Sequence, residues 1–134
     1  MYSRYWGRDR RRFQRLNLNL IVWYKVLSPY DSQFNYGERE LEATTLDISP
    51  IGMAFIAIHN IPVYAKLALK FIVFSSSAGS YSHLAIPIEV NGEVRSCMPQ
   101  ENNEYRVGVC FKGIELEKQT QLADFVKESL RPVI

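Results

Sequence analysis

Six short segments of this chain read as β-strands, and only the last segment of the sequence changes period. Strands put successive side chains on opposite faces, so a strand with one buried face shows apolar residues at every second position. Leu16, Leu18, Leu20 and Val22 do so against Asn17, Asn19, Ile21 and Trp23. A turn-rich connector over 28–38 leads to a second expected strand at about 39–47. Pro50 and Gly52 then turn the chain into an apolar run, Met53 to Ile58, short enough for a buried strand. After the break at His59-Asn60-Ile61-Pro62, the residues Leu67, Leu69, Phe71 and Val73 mark a fourth strand. Beyond the serine-rich loop 75–82, Leu84, Ile86, Ile88 and Val90 mark a fifth that continues to Cys97. Asn91-Gly92 is read as a bulge or kink within it. Pro99 to Asn103 turns the chain into Tyr105, Val107, Val109 and Phe111.

Leu116, Leu122, Phe125, Val126 and Leu130 instead return at helical spacing among charged residues, and Pro132 ends that pattern. Six strands at short intervals followed by one helix predict a mainly β fold: a six-stranded antiparallel barrel, closed or split, with a C-terminal helix packed on it. With 134 residues, 47% of them hydrophobic, the chain is long enough for one sizeable core and too short for two. The expected division is an arm over 1–15 and a single barrel domain over 16–134.

Charge is distributed unevenly. Residues 1–15 hold six arginines against Asp9 alone, a local +5 within a total of +2, so the remaining 119 residues sum to −3. A basic block at one end is a solvated tail or an arm for an anionic partner, either a phosphate-bearing small molecule or nucleic acid. The acidic remainder offers a nucleic-acid strand little further basic surface and favours a compact anion. Neither a secretory signal nor an apolar run of membrane-spanning length is visible, so a cytoplasmic protein without a membrane span is expected. The two cysteines, Cys97 and Cys110, have no metal-ligand spacing and read as free thiols.

Within the arm the chain reads Arg11-Arg12-Phe13-Gln14-Arg15, an R-x-x-x-R pattern, and about thirty residues later Asp47-Ile48-Ser49-Pro50-Ile51-Gly52, a D-x-S-x-x-G pattern. The second should arise by accident in roughly one chain in thirty of this length. In this order, spacing and β-rich setting the pair resembles the PilZ domain, from the arginine run to the end of the chain. That resemblance implies a six-stranded barrel with a C-terminal helix and a receptor for the bacterial second messenger cyclic di-GMP. It also implies Arg11 and Arg15 on phosphate and base, and Asp47, Ser49 and Gly52 on the base. Arg10 matches a position that in the family influences whether one ligand or a stacked pair is held. With Arg8, Arg10 and Arg12 all available, a stacked pair is expected.

The residue chemistry suits that ligand. A guanidinium gives phosphate two parallel charge-assisted hydrogen bonds, and can also meet guanine O6 and N7 or lie flat on the purine. Asp47 offers carboxylate acceptors for guanine N1 and N2 hydrogens, Ser49 adds a hydroxyl, and Gly52 permits a positive φ or a close backbone approach. In a strand Asp47 and Ser49 share a face while Ile48 takes the core. Read by themselves, Asp47 and Ser49 could instead cap a turn. Tyr2, Tyr5, Trp6 and Phe13 are candidates for stacking on bases, Phe13 equally for anchoring the arm; Trp23 and Tyr24 are assigned to the core or its rim.

Nothing reads as catalytic: His59 and His83 stand far apart, with no nucleophile, acid pair or metal-ligand spacing at either. The expectation is therefore a binding protein with no catalytic residue, no metal and no cofactor, acting through an unknown effector protein. Its arm would change conformation when ligand binds. Two alternatives stay open: a PilZ-fold interaction adaptor that binds no nucleotide, and an arginine arm that contacts nucleic acid.

Overall fold

The computed structural model describes residues 16–17, 19–29, 39–76 and 83–129. Its strands are β1 (Leu16–Asn17), β2 (Ile21–Ser28), β3 (Leu41–Ser49), β4 (Gly52–Ala57), β5 (Lys66–Ser76), β6 (His83–Pro99) and β7 (Tyr105–Lys112), followed by helix α1 (Leu116–Ser129). All pairings are antiparallel. The order β3-β2-β5-β6-β7-β4 closes through β3–β4 into a six-stranded barrel, and the two-residue β1 lies on β3. Closure gives each of β2 to β7 a partner on both sides along part of its length, while Ile72–Ser76 of β5 and His83–Pro87 of β6 pair only with each other.

The alternation seen in the sequence fills the barrel. Val22, Tyr24 and Val26 of β2, Leu67, Leu69, Phe71 and Val73 of β5, and Val107, Val109 and Phe111 of β7 all point inward and are buried. Tyr24 meets Phe55 across the interior with ring centroids 5.0 Å apart, and Phe71 meets Phe111 at 6.1 Å. Helix α1 adds Leu122, Phe125 and Val126 to the same core. Leu116 sits in the period but is 78% exposed, so the buried stripe begins only at Leu122.

Several expected boundaries move. The segment read as one strand over 16–23 is two elements, because the chain leaves β3 after Asn17 and joins the barrel wall only at Ile21. A clamp fixes that crossing: Leu20 N donates to Thr45 Oγ1 at 2.8 Å, while Thr45 Oγ1 and N donate to Leu20 O at 3.1 and 2.7 Å. The connector begins after Ser28, and β3 continues past Asp47 to Ser49. Asn91-Gly92 carries no register shift; β6 continues through it, paired with β5 and β7. Gly92 is required for another reason, since a Cβ there would come within 2.4 Å of Val109 Cγ1 and 3.0 Å of Leu69 Cδ1 inside the barrel.

The register shifts lie elsewhere, between Val26 and Ser28, Thr45 and Asp47, and Val94 and Ser96. At the second, Leu46 is the additional residue: Thr45 faces inward opposite Phe55, whereas Asp47 faces outward opposite Ala54. Deleting Leu46 would return Asp47 to the phase of Ala43 and Thr45 and drive its carboxylate into the core, so cooperative unfolding in urea should be lost. Leu46→Ala keeps the additional residue and is expected to cost only about 1 kcal/mol in the same measurement.

Candidate functional site

Two bulges line up a row of outward-facing residues on the barrel wall. Beyond Leu46, Asp47 stands opposite Ala54; Ala54 stands opposite Gly108; and Gly108 stands opposite Ser96, just beyond the bulge at Arg95. Three of these four residues are small, so the wall is low along this row, and a groove of about 200 Å³ lies over Ala54, Gly108 and Ser96. Arg95 and Arg106 rise at its sides and Ser49 and Gly52 lie at one end. A strand glycine at an outward position often marks such a close approach. At Gly108 an added Cβ would come within 2.6 Å of Ser96 Oγ.

Arg106 belongs to β7 and Asp47 to β3, with β4 between them. The guanidinium nevertheless reaches across: Arg106 Nη2 lies 3.2 Å from Asp47 Oδ2. Ala54 is short enough for a long side chain to pass over it. The Asp47 carboxylate is only 10% exposed and the guanidinium side chain 38%, so the acid lies deep and its cation remains open to solvent. On the other side Arg95 Nη2 lies 3.3 Å from Glu93 Oε1, and Lys66 Nζ donates to Glu93 Oε2. The hydrogen bond from Lys66 holds the Glu93 carboxyl below the usual carboxylate range; partial burial opposes this, and the charges of Lys66, Arg95 and Lys112 support it.

Asp47, Ser49 and Gly52 are brought together as the motif suggests. Asp47 and Ser49 share the outer side and Ile48 is fully buried in the core. Ser49 also serves its own turn: Ile51 N donates to Ser49 Oγ at 3.3 Å, and Ser49 Oγ donates to Gly52 O at 3.4 Å. Both contacts are long, so the hydroxyl is weakly held. Of the two reasons offered for Gly52, close approach is the one realised, since a Cβ there would meet the Val109 carbonyl oxygen at 2.3 Å. The hairpin tip is pinned as well, with Phe111 N donating to Ile51 O at 2.8 Å and Gln119 Nε2 of α1 to Pro50 O at 3.5 Å.

Arg10, Arg11, Arg12 and Arg15 lie outside the described residues. The described residues that follow them lie on the motif strand, where β1 pairs Leu16 with Ile48 and Asn17 with Asp47. Sequence reasoning did not single out Arg95, Arg106, Ala54 or Gly108. Their one signal is the outward alternation Arg106, Gly108, Cys110 along β7, which places a glycine mid-strand. Among the described residues no group of three or more His, Cys, Asp or Glu could hold a metal, and no helix is long and apolar enough to cross a membrane.

The architecture is thus a closed antiparallel barrel with a C-terminal helix and an outer groove beside a D-x-S-x-x-G hairpin. The PilZ domain family model matches residues 9–128, and the chain belongs to that family. Solved structures show the same fold at low identity. The inhibitor of motility MotI/DgrA of Bacillus subtilis superposes with a TM-score of 0.69 at 16% identity, covering 90% of this chain and 51% of that one. YcgR of Escherichia coli in complex with c-di-GMP gives 0.64 at 13% identity, covering 90% and 46%. The PilZ domain of YcgR with c-di-GMP gives 0.59 at 14% identity, covering 89% and 90%. This chain therefore spans about half the length of the first two. No curated protein matches it.

Gly52→Ala forces a methyl group against a backbone carbonyl and is expected to lower stability by about 1–3 kcal/mol, measured by urea denaturation. A second expectation concerns acid. The folded pKa of Glu93 is lowered, so its contribution is present above the ordinary carboxylate range and lost as pH falls through the lowered value. Glu93→Gln should flatten that acid limb of the stability curve measured by thermal melts at successive pH values.

Proposed function

We propose that this chain is a cyclic di-GMP receptor whose ligand is gripped between the arginine arm and the outer groove. The observation that carries the reading is the pairing of β1 with β3, which ties the arm's attachment point to Asp47 and Ile48. Arg15 is one peptide bond from Leu16, a Cα spacing of about 3.8 Å, so its guanidinium has the motif within reach. Asp47 would accept from a guanine, Ser49 would add a hydroxyl, and Arg11 and Arg15 would take phosphate and base, with Arg10 and Arg12 beside them. Gly52 contributes by letting the hairpin approach β7.

The groove supplies shape and acceptors, and the arm supplies charge. Six arginines in fifteen residues repel one another until ligand phosphates neutralise them. Folding the arm onto the barrel would expose one surface and hide another, so that an effector protein can distinguish the two states. In this reading the protein is a cytoplasmic receptor and adaptor with neither catalytic machinery nor cofactor. The ligand binds as a stacked pair, and nucleic acid is not a partner.

Isothermal titration calorimetry with cyclic di-GMP tests the reading, with cyclic di-AMP and GTP as controls. Selective binding at micromolar affinity or tighter is expected, with a stoichiometry of two ligands per chain; one per chain would overturn the stacked pair. Arg15→Ala removes charged hydrogen bonds worth roughly 1.5–3 kcal/mol, a loss of about ten- to a hundredfold, and Arg11→Ala/Arg15→Ala should abolish the heat. No heat and no thermal shift with the unaltered chain would make it an adaptor that does not use the nucleotide.

A further inference from the structure

Resting on the receptor reading, we propose that Arg106 and Asp47 act as one composite reader of guanine, in which the carboxylate takes the base's two donors and Arg106 donates to its O6. The Watson–Crick edge of guanine presents an acceptor, O6, next to two donors, N1–H and N2–H. A carboxylate alone matches the two donors and leaves O6 unpaired. Arg106 fills that gap because its Nη2 already lies 3.2 Å from Asp47 Oδ2.

The pairing leaves capacity for a ligand. A guanidinium has five N–H donors, so one bond to Oδ2 leaves others in the same plane. A carboxylate has about four lone-pair sites, enough for Arg106 and the two guanine donors together. When Oδ2 accepts from both Arg106 and guanine N1–H, the base oxygen next to N1 falls beside the guanidinium, the acceptor type that arginine meets on guanine elsewhere. Exposure agrees with this division: the Arg106 side chain, 38% exposed, lines the groove, whereas the Asp47 side chain is 10% exposed and held in place.

Adenine reverses the pattern. It offers an amino group where Arg106 needs an acceptor and a bare N1 where Asp47 needs a donor. Hypoxanthine keeps O6 and N1–H but lacks the 2-amino group. Cyclic di-GMP, cyclic di-IMP and cyclic di-AMP therefore separate the contacts: the first two share the feature assigned to Arg106 and the third lacks it.

The experiment is calorimetric titration of the full chain and Arg106→Met with all three ligands, with thermal melts of each protein. Arg106→Met should bind cyclic di-GMP and cyclic di-IMP about tenfold or more weakly, with cyclic di-AMP binding unchanged. Arg106→Lys keeps a cation beside Asp47 but replaces the planar fork by one ammonium. It should melt like the unaltered chain and still lose several-fold in the preference for cyclic di-IMP over cyclic di-AMP, so the test survives if the methionine variant fails to fold. Equal losses for all three ligands, or none, would overturn the composite reader while leaving the receptor reading intact. Failure of the unaltered chain to bind any of them would remove both.

Discussion

One additional residue in β3 decides which side of the barrel wall receives the carboxylate of Asp47. Ala43, Thr45, Asp47 and Ser49 have the same parity, and in an unbroken strand all four would point into the core. The bulge at Leu46 reverses the phase, so Ile48 joins the core opposite Met53, and Asp47 and Ser49 turn outward. Everything about the groove follows from that half-turn of the pleat. An ionised carboxylate inside this barrel would have had no water and no room.

The second bulge, at Arg95, does for β6 what Leu46 does for β3. Without it Ser96 would point inward; with it Ser96 faces Gly108 on the outer surface and Cys97 takes the inner position beside Val107. Between the two bulged strands lies the regular β4–β7 pair, which contributes Ala54 and Gly108. The barrel is a filled core, so a groove can form only on its outside, here mainly on the strand wall. Strands hold side chains more precisely than loops do, as the proposed receptor reading would require of a site presenting acceptors and donors in fixed order.

Much of this was legible in the sequence because burial here is one-sided. Leu67, Leu69, Phe71 and Val73 announce their strand without ambiguity, as do Val107, Val109 and Phe111, since each alternates an inner face with an outer one. The start of β2 was harder, because Ile21 and Trp23 are apolar on the outer face and the parity of buried Val22 runs back through Leu20 to Leu16. Bulges left no compositional mark: Leu46 and Arg95 are ordinary strand residues, and the conspicuous Asn91-Gly92 pair is regular. Gly92 is an interior contact, small because Val109 and Leu69 close over it. Asp47, Ser49 and Gly52 were found through their spacing, whereas Arg106 becomes visible only when closure of the sheet brings β7 within one strand of β3.

The clamp between Leu20 and Thr45 has a kinetic meaning as well as a structural one. Thr45 is fully buried, and its three hydrogen bonds to Leu20 fix the point from which the preceding chain departs, two residues from Asp47 along the same strand. In the proposed receptor reading, whatever that chain carries would be a tethered second binding element rather than a separate one. Short tethers of this kind give effective concentrations on the order of millimolar. A ligand already resting in the groove would then meet the arginines by an intramolecular step, and the length of chain between Leu16 and each arginine would set how steeply that local concentration falls.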